Sequence, residues 1–182
     1  MANKILILNG SGKSNGNTSL LVDSFIKGAE KSGNKITTYF LESMKINGCK
    51  ACFQGGKDES DPCVMKDDME QIYLSFREAD IVVLASPLYY WQISGQLKIV
   101  LDRLFAFEEC NPNLLRHGKK SILLMTAEGN GYEETNYWYD RLMDHLGWEN
   151  IGKVLCGGVY YKNDIQGRTE LEDAEKLGAS LR

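Results

Sequence analysis

The stretch ILILNGSGKSNGNTS, residues 5–19, decides the fold. Four apolar residues, Ile5 to Leu8, run straight into glycines, hydroxyls and amides, and Leu20 and Leu21 then open an apolar helical face. This is a buried strand turning through a polar loop into a helix, the first half of a βα unit. The loop matches three catalytic motifs in outline. As a triphosphate loop, Gly12-Lys13-Ser14 would close G-x-x-x-x-G-K-S, but the opening glycine falls on Ile7 and no later strand ends in an aspartate for magnesium. As a nucleophile elbow, Gly12-Lys13-Ser14-Asn15-Gly16 is formally G-x-S-x-G, with Asp102 and His145 in triad order. Five residues separate Leu8 from Ser14, however, where an elbow turns directly off its strand, and no earlier strand lies beneath it. As a dinucleotide fingerprint, Gly10, Gly12 and Gly16 are spaced one residue too long. What remains is six small donors, Ser11, Ser14, Asn15, Asn17, Thr18 and Ser19, at a helix start, with Lys13 as a charge. Backbone N–H groups and the helix dipole suit a terminal phosphate monoester there. An ordinary N-cap would need only one such side chain.

Outward from this unit, strand-like and helix-like runs alternate to the end of the chain. Strands are expected at 4–8, 35–40, 81–86, 121–126 and 154–160. Apolar stripes at helical spacing join Met69, Ile72, Tyr73, Phe76 and Ala79, then Leu97, Val100, Leu101 and Leu104, then Leu171, Ala174, Leu177 and Leu181. Thr169 and Glu172 form a capping-box pattern, and Gly147 suits a helix end after Leu146. Five βα units predict an α/β fold, a doubly wound five-stranded parallel sheet of order 2-1-3-4-5 with helices on both faces. Its ligand crevice lies at the carboxyl ends of strands 1 and 3, between loops 9–19 and 86–94. Segment 43–66 is long for a βα connection and reads as functional or as an interface.

The 182 residues, 43% of them apolar, fit one domain, expected over 1–182. With 21 basic and 25 acidic residues the net charge is −4, which provides no nucleic-acid footprint and points to a small-molecule partner. No apolar run approaches the roughly 20 residues of a membrane span and no signal segment precedes the first strand, so a cytoplasmic, membrane-free protein is expected. His117 reads as a loop residue and His145 as a surface residue near a helix end, and neither has metal-ligand spacing.

The loop after the third strand, Ser86-Pro87-Leu88-Tyr89-Tyr90-Trp91-Gln92-Ile93-Ser94-Gly95, places three adjacent aromatics where loops are normally polar. A flat aromatic ligand would account for them, as would packing on a helix or on a second subunit. Thr126-Ala127-Glu128-Gly129-Asn130-Gly131 follows the fourth strand and brings backbone N–H groups to the same end of the sheet.

GSGKSNGNTS, ASPLYYWQISGQLKIVLDRL and GCKACFQGGKDESDPCVMKDDM together resemble the flavodoxin-like NAD(P)H-dependent FMN reductase family, in its iron-sulfur flavoprotein and multimeric flavodoxin branch. The resemblance implies FMN, its phosphate on Ser11, Lys13, Asn17, Thr18 and Ser19, and its ring against Pro87, Leu88, Tyr89, Tyr90 and Trp91. Further contacts are implied from Thr126, Glu128 and Gly129. Asp102 and Arg103 match the family's helix signature and are read as structural. NADH or NADPH would donate electrons, passed as hydride to a quinone, flavin, azo or nitro acceptor. No protein acid or base is required, because the chemistry is the cofactor's. The alternative is an FMN-containing electron carrier reduced by a protein partner. A homodimer or homotetramer is implied as well.

In the iron-sulfur branch four cysteines precede the D-D-M that opens the second helix. Here Cys49, Cys52 and Cys63 stand before Asp67-Asp68-Met69, with Gly55 where a further cysteine would be. One thiolate short, the segment argues against a [4Fe–4S] cluster and, with no histidine nearby, against zinc. A remnant loop or a redox-sensitive Cys49/Cys52 pair is expected instead. Cys110 carries no motif, and Cys156 reads as core.

Overall fold

The computed structural model describes residues 2–56, 58–116 and 118–181. β1 (Lys4–Asn9) passes through loop 10–16 into α1 (Asn17–Lys31), and β2 (Lys35–Phe40) ends in a 3-10 turn (Leu41–Ser43). After a long irregular segment come α2 (Met69–Glu78), β3 (Ile81–Pro87), α3 (Gly95–Arg103), α4 (Phe105–Cys110) and α5 (Pro112–Leu115). β4 (Lys120–Thr126), α6 (Glu133–Leu146), β5 (Glu149–Cys156) and α7 (Thr169–Ala179) follow. The strands pair in the order β2-β1-β3-β4-β5, all parallel. This is the flavodoxin-like doubly wound sheet that the alternation predicts.

Strands covered on both faces must be apolar throughout, and in β3 every residue from Ile81 to Ser86 is buried. One face packs on α2, α3, α4 and α6 through Phe76, Leu97, Phe107 and Tyr139. The other packs on α1 and α7 through Phe25, Val22, Ala174 and Val83. Two glycines let α1 and α7 approach closely. A Cβ at Gly28 would stand 1.9 Å from the Glu175 carbonyl oxygen, and one at Gly178 would stand 2.3 Å from that of Phe25. At the opposite end of the sheet from the crevice, buried Lys119 caps α2 by donating to the Phe76 and Ala79 carbonyls at 2.8 and 2.7 Å.

Two local expectations are corrected. β5 runs over Glu149–Cys156, not 154–160. It is an edge strand, so it carries Glu149, Asn150 and Lys153 without an apolar run, and Gly158, at φ +73°, lies just beyond its end. The Thr169/Glu172 box does not form: Arg168 is the capping residue, without a side-chain hydrogen bond, and the Thr169 hydroxyl lies 3.4 Å from Glu170. The stripe expected at Leu97, Val100, Leu101 and Leu104 forms in α3 and its C-cap, and two short helices, α4 and α5, follow before β4. Gly147 closes α6 in the left-handed conformation, φ +65°, and His145 is exposed in its last turn. His117 lies outside the described residues. Among the described residues no helix is long and apolar enough to cross a membrane.

Among the described residues of segment 44–68 there is no helix or strand, and a buried side chain from α3 ties the segment to the core. Arg103 Nη1 donates to the Asn47 carbonyl and to Asp67 Oδ2, both at 2.9 Å, while Nη2 donates to Asp67 Oδ1 at 3.3 Å and to Cys63 Sγ at 3.5 Å. Arg103 thus has the structural role read from the sequence, whereas Asp102 is exposed and pairs with Lys98, one turn earlier.

Candidate cofactor cleft

The loop after β1 folds around a single oxygen. Ser11 Oγ, Ser19 Oγ and the Gly16 N–H all donate to the Lys13 carbonyl, at 2.9, 2.9 and 3.1 Å. Asn9 fixes the rim, accepting from the Ser11 N–H at 3.0 Å and donating to Ser19 Oγ at 3.1 Å. A carbonyl that would repel an anion is therefore occupied inside the loop. α1 then begins after Gly16, a cap with no side-chain hydrogen bond, and has no acidic residue in its first turn. The leading N–H groups of a helix have no intrahelical acceptor and carry about half a positive charge. The chain leaves them free for a ligand.

The loop after β3 is built differently. Ser94 caps α3, its hydroxyl accepting from the Leu97 N–H at 3.3 Å, and its own N–H donates to Ser86 Oγ at 2.8 Å. Tyr89 and Gln92 exchange two backbone hydrogen bonds, at 2.9 and 3.0 Å. The residues between them, Tyr90 and Trp91, have φ of +48° and +59°, which makes a type I′ turn from two aromatic residues. Left-handed backbone costs a non-glycine residue about 1–2 kcal/mol, and Tyr90 is also 93% exposed. Thr135 Oγ1 donates to the Trp91 carbonyl at 2.6 Å and ties the turn to α6.

Between these loops lies a cleft of about 350 Å3. Of the residues expected from the sequence, Ser11, Lys13, Asn17, Thr18, Pro87, Leu88, Tyr89, Thr126 and Glu128 line it together. Thr18 Oγ1 and Thr126 Oγ1 meet at 2.7 Å, joining the start of α1 to the end of β4. Four expected residues stand outside the lining. Ser19 is buried within the phosphate-type loop, where its hydroxyl serves the loop itself. Tyr90 and Trp91 form the exposed tip of the hairpin, and Gly129 lies beyond the β4 edge of the cleft. Asn17 lines the cleft but both ends of its amide are used, Nδ2 donating to the Tyr161 carbonyl at 2.9 Å and Oδ1 accepting from the Ile165 N–H at 3.4 Å.

The structure adds Gly12, Gly16, Ala127, Val159, Tyr160 and Lys162 to the lining. The last three follow β5, and the strand expected at 154–160 covers Val159 and Tyr160; Gly157-Gly158 ahead of two tyrosines and a lysine is the available signal for the loop. Among the described residues, Glu128 is the one carboxylate lining the cleft and no histidine lines it. The cleft has no paired acid and base, while an uncapped helix start, a lysine and aromatic walls suit a phosphorylated planar ligand such as FMN.

The cysteine segment lies apart from this cleft. Cys49 and Cys52 are exposed and Cys63 is half-buried against Arg103. Gly55 occupies the position of a further ligand, and a Cβ there would stand 2.5 Å from the Pro62 carbonyl oxygen. These residues do not fit a four-thiolate cluster. Cys156, fully buried at the end of β5, has its thiol pushed up to about 11 by burial, with Glu170 adding to the effect.

Residues 3–156 match the family model for NADPH-dependent FMN reductase. An iron-sulfur flavoprotein of Methanocaldococcus jannaschii is 33% identical over 202 residues, covering 98% of this chain and 95% of that protein. One of Archaeoglobus fulgidus is 30% identical over 175 residues, covering 94% of this chain and 76% of the relative. The solved structure of an NAD(P)H:quinone oxidoreductase from Methanothermobacter marburgensis superposes with a TM-score of 0.74 at 14% identity, over 98% of this chain and 96% of that one, and supports the fold. The chain belongs to the NADPH-dependent FMN reductase family, as an oxidoreductase that uses FMN and NAD(P)H.

Proposed function

We propose that the chain passes electrons from NAD(P)H through FMN to a small planar acceptor of the quinone, flavin, azo or nitro class. The observation that carries this reading is the shape of the cleft: an anion-binding loop at one end and a proline-stiffened aromatic hairpin, open to solvent, at the other. Bound FMN supplies hydride acceptance and donation, so the protein needs no acid or base of its own. The loop after β1, with Lys13 and the first turn of α1, holds the phosphate, and Ser11, whose hydroxyl donates to the Lys13 carbonyl, shapes that loop. Pro87, Leu88 and Tyr89 form the wall for the ring, and residues 126–128 run along its edge. Tyr89 and Trp91 remain accessible above the site, where a second flat molecule can approach. The incomplete thiolate set around Gly55 favours a small-molecule acceptor over relay through a cluster. The reading treats residues 1–182 as one FMN-binding domain. The exposed Tyr89, Tyr90 and Trp91 suit the rim of a homodimer or homotetramer.

The test is the visible spectrum of anaerobically purified protein before and after NADH, then NADPH, then a quinone. A flavin spectrum bleached by nucleotide and restored by quinone is expected. Flavin that neither nucleotide bleaches favours the electron carrier, and no chromophore even after added FMN overturns the cleft assignment.

A further inference from the structure

We propose that residues 157–166, following β5, form a clamp over the phosphate end of the cleft, in which Lys162 supplies a second cation to the terminal phosphate of the flavin. The inference rests on the FMN reading above. β5 is the far edge strand, three places from β1 in the sheet, so nothing in the topology requires its loop to reach the phosphate loop. It does reach it. Gly158 and Val159 extend the backbone pairing past the strand end, donating to the Glu128 and Ala127 carbonyls at 3.0 and 2.9 Å. Asn17, the first residue of α1, then takes the segment at two points, Tyr161 and Ile165.

The clamp is a built element. Val159 and Ile165 are buried in the core beside α1 and α7, so both ends are packed. Between them the Asp164 carboxylate folds the tip by accepting the Tyr160 and Tyr161 N–H groups at 2.9 and 2.6 Å. Tyr160 and Lys162 project from that tip into the lining shared with Ser11 and Lys13. Among the described residues, neither Lys13 nor Lys162 has an ion-pair partner.

Charge arithmetic gives Lys162 its purpose. A phosphate monoester carries about −1.5 to −2 at neutral pH. The helix start offers about +0.5, and Lys13 raises that to about +1.5, which leaves the dianion short. Lys162 brings the positive total to about +2.5, enough to hold the dianion with Glu128 in the same lining, and Asn17, whose amide is fully used by the clamp, acts by positioning it.

The experiment titrates the apo form of the full chain with FMN and with riboflavin, which lacks the phosphate, following flavin fluorescence. Lys162→Gln is expected to raise the FMN Kd roughly tenfold, about 1.4 kcal/mol, and to leave the riboflavin Kd unchanged. Lys162→Arg should restore FMN binding, and the fall in FMN affinity with added KCl should be shallower in Lys162→Gln. Unchanged FMN affinity in Lys162→Gln, or equal weakening of FMN and riboflavin, overturns the clamp alone, provided that the unaltered protein prefers FMN. An unaltered protein with no such preference overturns the phosphate-cradle reading, and the clamp with it.

Discussion

Asp67→Asn tests whether one buried ion pair holds the cysteine segment in place. Arg103 and Asp67 have side chains only 1% and 5% exposed. Burial alone would raise the Asp67 carboxyl, but the Arg103 guanidinium and N–H donors from Asn47 and Met69 overcome it and bring it from 3.8 to about 2. At 1.36 kcal/mol per pKa unit, that depression corresponds to about 2.4 kcal/mol of preference for the charged form. Asparagine keeps the shape and removes the charge, leaving a guanidinium unpaired in the interior, for which a cost of about 3–5 kcal/mol is the usual range. Arg103 Nε already lacks a partner among the described residues, so the site has no spare acceptor to absorb the change.

The pH dependence has a definite sign. The folded-state pKa lies below the unfolded one, so the stabilisation is complete well above 3.8 and is lost as pH falls toward about 2. Urea unfolding should show the unaltered protein well above Asp67→Asn at pH 7. Integrating the linkage, the gap should narrow by about 1 kcal/mol by pH 3. A gap that stays constant from pH 7 to pH 3 would refute the argument, because the carboxylate would then contribute nothing through its charge. Limited proteolysis gives a second readout, since cleavage within 44–66 should rise in Asp67→Asn before global unfolding.

Other outcomes follow from single contacts. Gly28→Ala puts a methyl 1.9 Å from the Glu175 carbonyl, so α7 must shift, and a loss of about 1–3 kcal/mol is expected in thermal or urea unfolding; unaltered stability would mean that the helices do not cross this closely in solution. Tyr90→Gly relieves a left-handed residue whose ring is exposed, so a gain of about 1 kcal/mol is expected, and a loss would show that the ring is packed in solution. Alkylation of the folded protein at pH 8, read by mass spectrometry, should mark exposed Cys49 and Cys52 first and Cys156 last; early labelling of Cys156 would contradict its burial. Gly16→Asp places a carboxylate at the cap of α1, beside the proposed phosphate, and should weaken FMN binding by more than Gly16→Ala, which makes the same 3.3 Å contact with the Lys13 carbonyl oxygen without the charge. Equal FMN affinity would move the phosphate elsewhere.

Which parts of this molecule can be read from sequence follows from where each signal lies. Strands β1, β3 and β4 lie inside the sheet, so their apolar runs stand out, while β2, at one edge and largely exposed, is legible through its β-branched and aromatic residues Ile36 to Phe40; with four strands placed the sheet order follows from chain topology. β5 has one open edge and tolerates Glu149, Asn150 and Lys153, so its start cannot be seen in hydrophobicity. The same contrast governs the cleft. Loops after β1, β3 and β4 advertise themselves through glycines, hydroxyls and aromatics, and the switch-point rule names the crevice between the first two. That rule gives no reason to inspect the loop after β5, yet Tyr161 meets Asn17 across 144 residues of chain. The link is a side-chain amide bonding a backbone carbonyl, a contact with no periodicity and no residue preference strong enough to mark it. Asn17 shows the limit most clearly. Its position in a donor-rich loop predicts a phosphate ligand, but its geometry makes it the anchor of a second element, so residue type and location identified the place while only the hydrogen-bond partners identified the task.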